Sequence, residues 1–214
     1  MSKRIPMLRK FVLFTAVSVV LSACGGQQTQ EKPQPAPAEA ASQPVQETPV
    51  VANPSPYTKE VSYDNIKFVV NSPGNTSANS FTVTPSGLSA SNNPITENIQ
   101  GQVIDAIAND MDGDNSPEVA VIVEETPGGK RKAYVYSSFN RKSFGSVNFV
   151  DVTDASKLSG YQGGDEYEFV ENTFIRRFPL YEAGQKSGKT RQFQFKMKAG
   201  EAMKQLTLDR ETTF

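Results

Sequence analysis

The chain has 214 residues, a formal net charge of −1, one cysteine, and neither histidine nor tryptophan. The absence of histidine excludes catalytic sets of the Ser-His-Asp or Cys-His type and zinc sites built from His and Cys. A single cysteine excludes a disulfide within the chain, and the charge balance gives no support to nucleic-acid binding, which needs a clustered basic surface. We therefore expect a protein that is not an enzyme and that binds no nucleic acid.

Residues 1–23 have the order of an export signal. Basic residues at positions 3, 4, 9 and 10 precede the apolar run 11–21, which is too short to span a membrane. Residues 21–24, Leu-Ser-Ala-Cys, resemble the bacterial lipobox, which implies a lipoprotein whose Cys24 carries palmitate-type acyl chains. Gly25 after the cysteine implies sorting to the outer membrane of a Gram-negative cell, with the domain facing the periplasm. The alternative is an ordinary cleavable signal with a chance cysteine.

Residues 24–56 are rich in proline, glutamine and alanine and contain almost no large side chains. Such a segment cannot bury enough apolar surface to order itself, so the sequence predicts a disordered tether. The remaining residues, 57–214, are enough for one domain with its own core. We expect this domain to stand away from the lipid surface, which it contacts only through the acylated N-terminus.

Period-two alternation dominates residues 57–214 and predicts an all-β fold, an antiparallel β-sandwich of roughly eight to ten short strands. Phe193, Phe195 and Met197 form the clearest half-buried strand. One short helix is predicted at residues 151–158, with Thr153 or Asp154 as its cap. The predicted strands are 66–70, 81–84, 102–108, 118–123, 133–138, 145–150, 166–171, 174–180, 191–198 and 205–209.

An acidic loop, residues 109–118, precedes the apolar run VAVIV. Its carboxylates repel one another unless a cation or water intervenes, and their spacing matches positions one, three, five and nine of a calcium loop. A backbone carbonyl near Ser116 is a further oxygen donor, so Ca²⁺ is the expected ion, in a structural role. The candidate ligands are Asp110, Asp112, Asp114, Ser116 and Glu118.

The acidic loop differs from a helix-loop-helix calcium site. Position twelve, which needs a bidentate glutamate, falls on Val121, and the run after the loop reads as a strand. Gly113 and Asn115 are residue types that tolerate the left-handed angles of a tight loop. The loop resembles the calcium loop of FG-GAP repeats, but a single copy does not make a propeller. A solvated acidic turn without metal is the alternative.

A second resemblance covers most of the domain. The segments that carry it, in order, are 63–70, 77–88, 93–95, the acidic loop, 134–138 and 177–181. Together they resemble the periplasmic inhibitors of i-type lysozyme. This resemblance implies a β-sandwich that blocks lysozyme by inserting an exposed loop into the catalytic cleft.

In that family the inserted loop carries a Ser-Gly-x-x-Tyr motif before the strand that matches residues 133–138. Only the glycine of the motif is matched here, and the serine and tyrosine hydroxyls are missing. A basic run instead follows two glycines at an expected hairpin tip, where it could pair with the carboxylates of a lysozyme cleft. A solvated hairpin end is the alternative. The candidate partner-binding residues are Pro127, Gly128, Gly129, Lys130, Arg131 and Lys132.

Two functions follow as expectations from these patterns. The first is an envelope-anchored inhibitor whose protein partner is a lysozyme. The second is a calcium-dependent envelope or surface binding module that has the same fold but does not inhibit lysozyme. The departure from the Ser-Gly-x-x-Tyr motif favours the second, and the order of matched segments favours the first.

Overall fold

Strands make up the regular structure in the described part of this chain. The computed structural model describes residues 55–75, 78–125, 129–201 and 203–214, and within these ranges it contains thirteen strands and no helix. The all-β prediction is therefore confirmed, with antiparallel sheets packed against one another as in a β-sandwich. The predicted signal segment, Cys24 and nearly all of the predicted tether lie outside the described residues.

The strands form three sheets. The first sheet contains, side by side, β1 (Tyr57–Tyr63), β2 (Ile66–Ser72), β3 (Asn79–Ser86) and β4 (Ile95–Ile99). The second contains β5 (Gln102–Asn109), β6 (Glu118–Glu124), β7 (Arg131–Phe139) and β8 (Ser143–Ser146). The third is built from β9 (Asn148–Phe149), β10 (Glu166–Val170), β11 (Thr173–Glu182), β12 (Gln185–Lys198) and β13 (Gln205–Thr213).

In the third sheet the spatial order is β10-β11-β12-β13-β9, and the short pairing of β9 with β13 is parallel. The other paired strands run antiparallel to their neighbours. The predicted strand 145–150 is divided between two sheets. Val147, between β8 and β9, donates its backbone N–H to the carbonyl of Val135 in β7 at 2.8 Å, and Asn148 then pairs with Gln205 of β13. This segment carries the chain from the second sheet to the third.

The second sheet contributes to two separate hydrophobic cores. Alternate residues of β6, represented by Val121, join a cluster with Phe68 and Phe81 of the first sheet. The intervening residues, represented by Ile122, join a cluster with Phe174 of the third sheet. Residues 118–123 of β6 are all buried, which explains the unbroken apolar run, because a strand covered on both faces has no solvated side to keep polar.

The predicted helix at residues 151–158 is wrong. These residues form irregular chain followed by a turn, in which the backbone N–H groups of Lys157 and Leu158 each donate to the carbonyl of Asp154 at 3.1 Å. Asp154 Oδ1 accepts from the backbone N–H of Ser156 at 2.9 Å, so the expected cap is formed without a helix behind it. A second turn follows, in which the backbone N–H of Tyr161 donates to the carbonyl of Leu158 at 3.0 Å, and Gly160 within it has a φ of +80°, which prevents the turns from continuing as a helix.

Candidate metal centre and binding loop

The acidic loop connects β5 to β6, and three of its predicted ligands converge. Oxygens of Asp110, Asp112 and Glu118 lie within 4.8 Å of one another. Glu118 is the first residue of β6 and is fully buried. Its carboxylate accepts hydrogen bonds from Ser137 Oγ of β7 at 2.8 Å and from the backbone N–H of Met111 at 3.1 Å. The triad is therefore anchored on the central sheet.

The rest of the loop folds around its own carboxylates. Asp110 Oδ2 accepts the backbone N–H of Asn115 at 3.0 Å, and Asp114 Oδ1 accepts that of Ser116 at 2.8 Å. Gly113 and Asn115 have φ angles of 71° and 65°, so the prediction of left-handed residues at these two positions is confirmed. These contacts hold a tight loop in which several carboxylate oxygens are brought close together.

A cation from a distant part of the chain lies among these carboxylates. Lys204, in the connection between β12 and β13, places its ammonium 2.9 Å from Asp112 Oδ2 and 2.7 Å from Asp114 Oδ2. The same Nζ lies 3.4 Å from Glu118 Oε1. Asp114 is thus tied to the lysine rather than grouped with the converging triad. The sequence reasoning missed Lys204, because nothing near position 204 indicates an acidic partner.

Burial and hydrogen bonding shift the pKa values of the ionisable groups in this cluster. Burial raises the pKa of Glu118 to about 7, although the hydrogen bond from Ser137 acts in the opposite direction. Burial alone would lower the pKa of Lys204, but the hydrogen bonds to Asp114 and Asp112 raise it overall. Burial likewise opposes ionisation of Asp114, yet the hydrogen bond from Lys204 lowers its pKa. The lysine therefore carries a full positive charge at neutral pH.

Several oxygens of the loop are left without a partner. Asp110 Oδ1 and Asp112 Oδ1 are buried and accept no hydrogen bond, and neither does the hydroxyl of Ser116, a residue only 1 % exposed. Buried oxygens of this kind are costly unless something binds them. Carboxylate and carbonyl oxygens are the donors that Ca²⁺ takes. The residues present therefore fit a hard divalent cation, which Asp110, Asp112 and Glu118 would hold.

The candidate binding loop lies at the other end of β6. Pro127 and Gly128 fall outside the described residues, whereas Gly129 and Lys130 directly precede β7. Arg131 and Lys132 are the first two residues of β7 rather than part of a free tip. β6 has seven residues and so separates the acidic loop from the tip by about 20 Å.

Hydrogen bonds hold the base of this tip, residues 129–131, against residues 163–165 before β10. We call this set of contacts the clamp. The backbone N–H of Arg131 donates to Asp165 Oδ2 at 3.1 Å, and its Nη1 donates to the carbonyl of Asp165 at 2.8 Å. The backbone N–H of Gly164 donates to the carbonyl of Gly129 at 3.2 Å. A Cβ at Gly163, which has a φ of +94°, would lie 2.8 Å from the backbone of Gly129. Glycine is therefore required for this close approach.

Asp165 is the centre of the clamp and is fully buried. It also accepts hydrogen bonds from Arg176 Nε of β11 at 2.8 Å and from the hydroxyl of Tyr161 at 2.5 Å. Asp151 Oδ1 accepts a second bond from Arg176, also at 2.8 Å. The clamp is thus an ion-pair network inside the protein, and sequence reasoning missed it because its members are spread over residues 131–176.

The basic residues of the tip differ in their surroundings. Lys130 and Lys132 are exposed, with their ammonium groups 5.9 Å from the ring centroid of Tyr161 and 4.8 Å from that of Tyr134. Arg131 is partly buried and lies 3.6 Å from Glu124 in addition to its bonds to Asp165. Only the two lysines are therefore placed to meet a partner directly, and the arginine serves the clamp.

Comparison with family models, with curated proteins and with solved structures finds no match to this chain. The functional argument therefore depends on the residues and their geometry. Among the residues that the structure describes, there is no helix long and apolar enough to cross a membrane.

Proposed function

We propose that this protein is a non-enzymatic envelope protein that inhibits lysozyme by presenting the β6–β7 tip to the catalytic cleft. The observation that supports the proposal most is the clamp centred on Asp165, which fixes the base of the tip before any partner arrives. A loop whose base is already held in place loses less conformational freedom on binding and so keeps more of its interaction energy. The resemblance to the inhibitors of i-type lysozyme points to the same tip.

The proposed recognition of lysozyme is electrostatic. A lysozyme cleft contains catalytic carboxylates, and Lys130 before β7 and Lys132 at the start of β7 present exposed ammonium groups beside the tip. Opposite charges across an interface speed association and favour the correct partner. Membrane attachment through a lipid on Cys24 and location at the outer membrane, with the domain in the periplasm, belong to the same proposal. Such an anchor would hold the inhibitor beside the peptidoglycan that it protects.

Titration of the purified chain into activity assays of i-, c- and g-type lysozymes tests this proposal. We expect inhibition of at least one class at micromolar concentration or below. Lys130→Glu should weaken it at least tenfold, about 1.4 kcal/mol, because the reversed charge would face the catalytic carboxylates. Lys198→Glu is the matched control, since Lys198 is an exposed lysine at the end of β12. Absence of inhibition for all three classes would rule the proposal out.

The alternative function is a calcium-dependent envelope or surface binding module, and the converging triad of the acidic loop favours it. In that case the exposed tip lysines would meet an anionic glycan or an envelope protein. The same purified chain, used to capture partners from envelope extract with and without calcium, separates the two functions. Calcium-dependent capture of envelope components without lysozyme supports the alternative.

Calcium in the acidic loop is proposed as a structural ligand, held by Asp110, Asp112 and Glu118. An ion present at about 100 times its Kd stabilises a fold by about 2.7 kcal/mol. EDTA should therefore lower the melting temperature by roughly 5–10 °C. Asp112→Ala should remove this difference, whereas Asp209→Ala, which changes an acidic residue of β13, should keep it. A melting curve that EDTA leaves unchanged would contradict the calcium proposal.

A further inference from the structure

The acidic loop already contains a cation that belongs to the chain itself. We propose that Lys204 is a tethered competitor for this site, so that a divalent cation binds only when it displaces the lysine ammonium. This inference rests on the calcium site proposed above. Because the lysine is part of the chain and always present, its competition would set the affinity of that site for calcium.

The geometry favours an exchange, since the two cations would draw on the same two carboxylates. Asp112 and Glu118 belong to the converging triad, and both also bind the ammonium of Lys204, at 2.9 and 3.4 Å. A calcium ion needs its oxygens at 2.3–2.6 Å. An ion at that distance from the same carboxylates would lie next to the ammonium, and the repulsion between neighbouring cations in a partly buried site is strong.

The ammonium of Lys204 donates hydrogen bonds to only some of the buried oxygens of the acidic loop. An ammonium has three donors, and here they serve Asp112, Asp114 and Glu118. Asp110 Oδ1 remains buried without a partner, as do Asp112 Oδ1 and the hydroxyl of Ser116. Calcium takes six to eight oxygens. The loop therefore contains more buried oxygens than the three donors of the ammonium can bind, as expected for a site that takes a cation with more ligands.

The backbone at Lys204 is held by contacts that do not involve its side chain. The carbonyl of Lys204 accepts the backbone N–H of Asn148 at 2.9 Å, and β13 begins at the next residue. A side chain held in this way competes at a constant, high effective concentration. Calcium binding is therefore weakened, toward the range of about 10⁻⁴–10⁻³ M that is typical of extracellular calcium modules. The site would respond to the calcium level outside the cytoplasm.

Calorimetric titration of Ca²⁺ into the full-length purified chain, freed of metal beforehand, measures the competition. Lys204→Met keeps the length of the side chain and removes its charge, so we expect the variant to bind Ca²⁺ at least tenfold more tightly than the wild type. Lys198→Met is the matched control, an exposed lysine at the other end of the β12–β13 connection, and it should leave the affinity unchanged.

A second measurement uses the wild-type chain and does not depend on the folding of a variant. Amine labelling followed by mass spectrometry reports the accessibility of each lysine. Lys204, whose side chain is 17 % exposed, should label slowly without calcium and several-fold faster with it. Labelling of Lys198 should not change.

The outcomes separate this inference from the calcium proposal. Equal calcium affinity of wild type and Lys204→Met, with labelling of Lys204 insensitive to calcium, would overturn the competition and leave the calcium site standing. Binding by the variant alone, up to about 10 mM Ca²⁺, would support the competition and refute a calcium-loaded wild type. Absence of binding by both chains would overturn both.

Discussion

Replacing Arg176 by methionine will lower the free energy of unfolding by about 3–5 kcal/mol, the cost of breaking a buried ion pair from one side. The side chain of Arg176 is 4 % exposed and that of its partner Asp165 is fully buried, with the Nε–Oδ1 distance at 2.8 Å. Without the guanidinium, the carboxylate of Asp165 stays buried and loses its ion pair, and it keeps only the hydrogen bonds from the backbone N–H of Arg131 and the hydroxyl of Tyr161. The guanidinium also packs 5.0 Å from the ring centroid of Tyr161, a contact that methionine replaces only in part.

Urea denaturation followed by circular dichroism measures this loss. Arg177→Met is the matched control, because Arg177 is the next residue of β11 and pairs with Glu168, whose side chain is 56 % exposed. A surface pair of this kind contributes about 0–1 kcal/mol. Equal losses for the two variants would contradict the structural role of the buried network. The Arg176 variant should also inhibit lysozyme less well, since the base of the β6–β7 tip depends on Asp165.

Phe174→Ala is expected to lower the free energy of unfolding by about 3–5 kcal/mol through the cavity that it leaves. Phe174 lies in β11, is fully buried, and belongs to the core between the second and third sheets. Its ring centroid is 5.6 Å from those of Phe149 and Tyr167 and 5.0 Å from that of Phe169. Alanine would remove these aromatic contacts together with the burial of the ring.

The control for this variant is Phe214→Ala. Phe214 is 64 % exposed, and the pairing of its backbone with Thr190 does not depend on the side chain. We expect its unfolding midpoint in urea to match that of the wild type. A Phe174→Ala midpoint as close to the wild type as that of the control would show that the second core contributes little to stability.

The strands that sequence predicted best are those with a strong apolar signal. β6 was found because its apolar run is buried on both faces, and β12 because Phe193 and Phe195 alternate with polar residues. β1 and β4 were missed. Both are edge strands of the first sheet, and every second residue faces solvent, as at Glu60 and Asn98, so their composition resembles that of loops.

The residues of the candidate sites also differ in how well the sequence predicted them. The turn residues Gly113 and Asn115 were predicted correctly, because the demands of a tight loop are local. Lys204 and Asp165 were not predicted, because each binds a residue, Asp112 of the acidic loop or Arg131 of the second sheet, that lies far away in the sequence and meets it only after the second and third sheets have assembled. Pairwise ion contacts between distant segments leave no periodic pattern in a single sequence.

The position of β6 between the two candidate sites has a consequence for how this protein can vary. Glu118 at its first residue belongs to the acidic loop, and Glu124 at its last lies beside Arg131 of the tip. Because a buried strand with both faces covered separates them, substitutions at either end act nearly additively. The proposed partner binding and the proposed ion binding can therefore be altered one at a time, and residues of the tip can be changed without disturbing the opposite end of the strand.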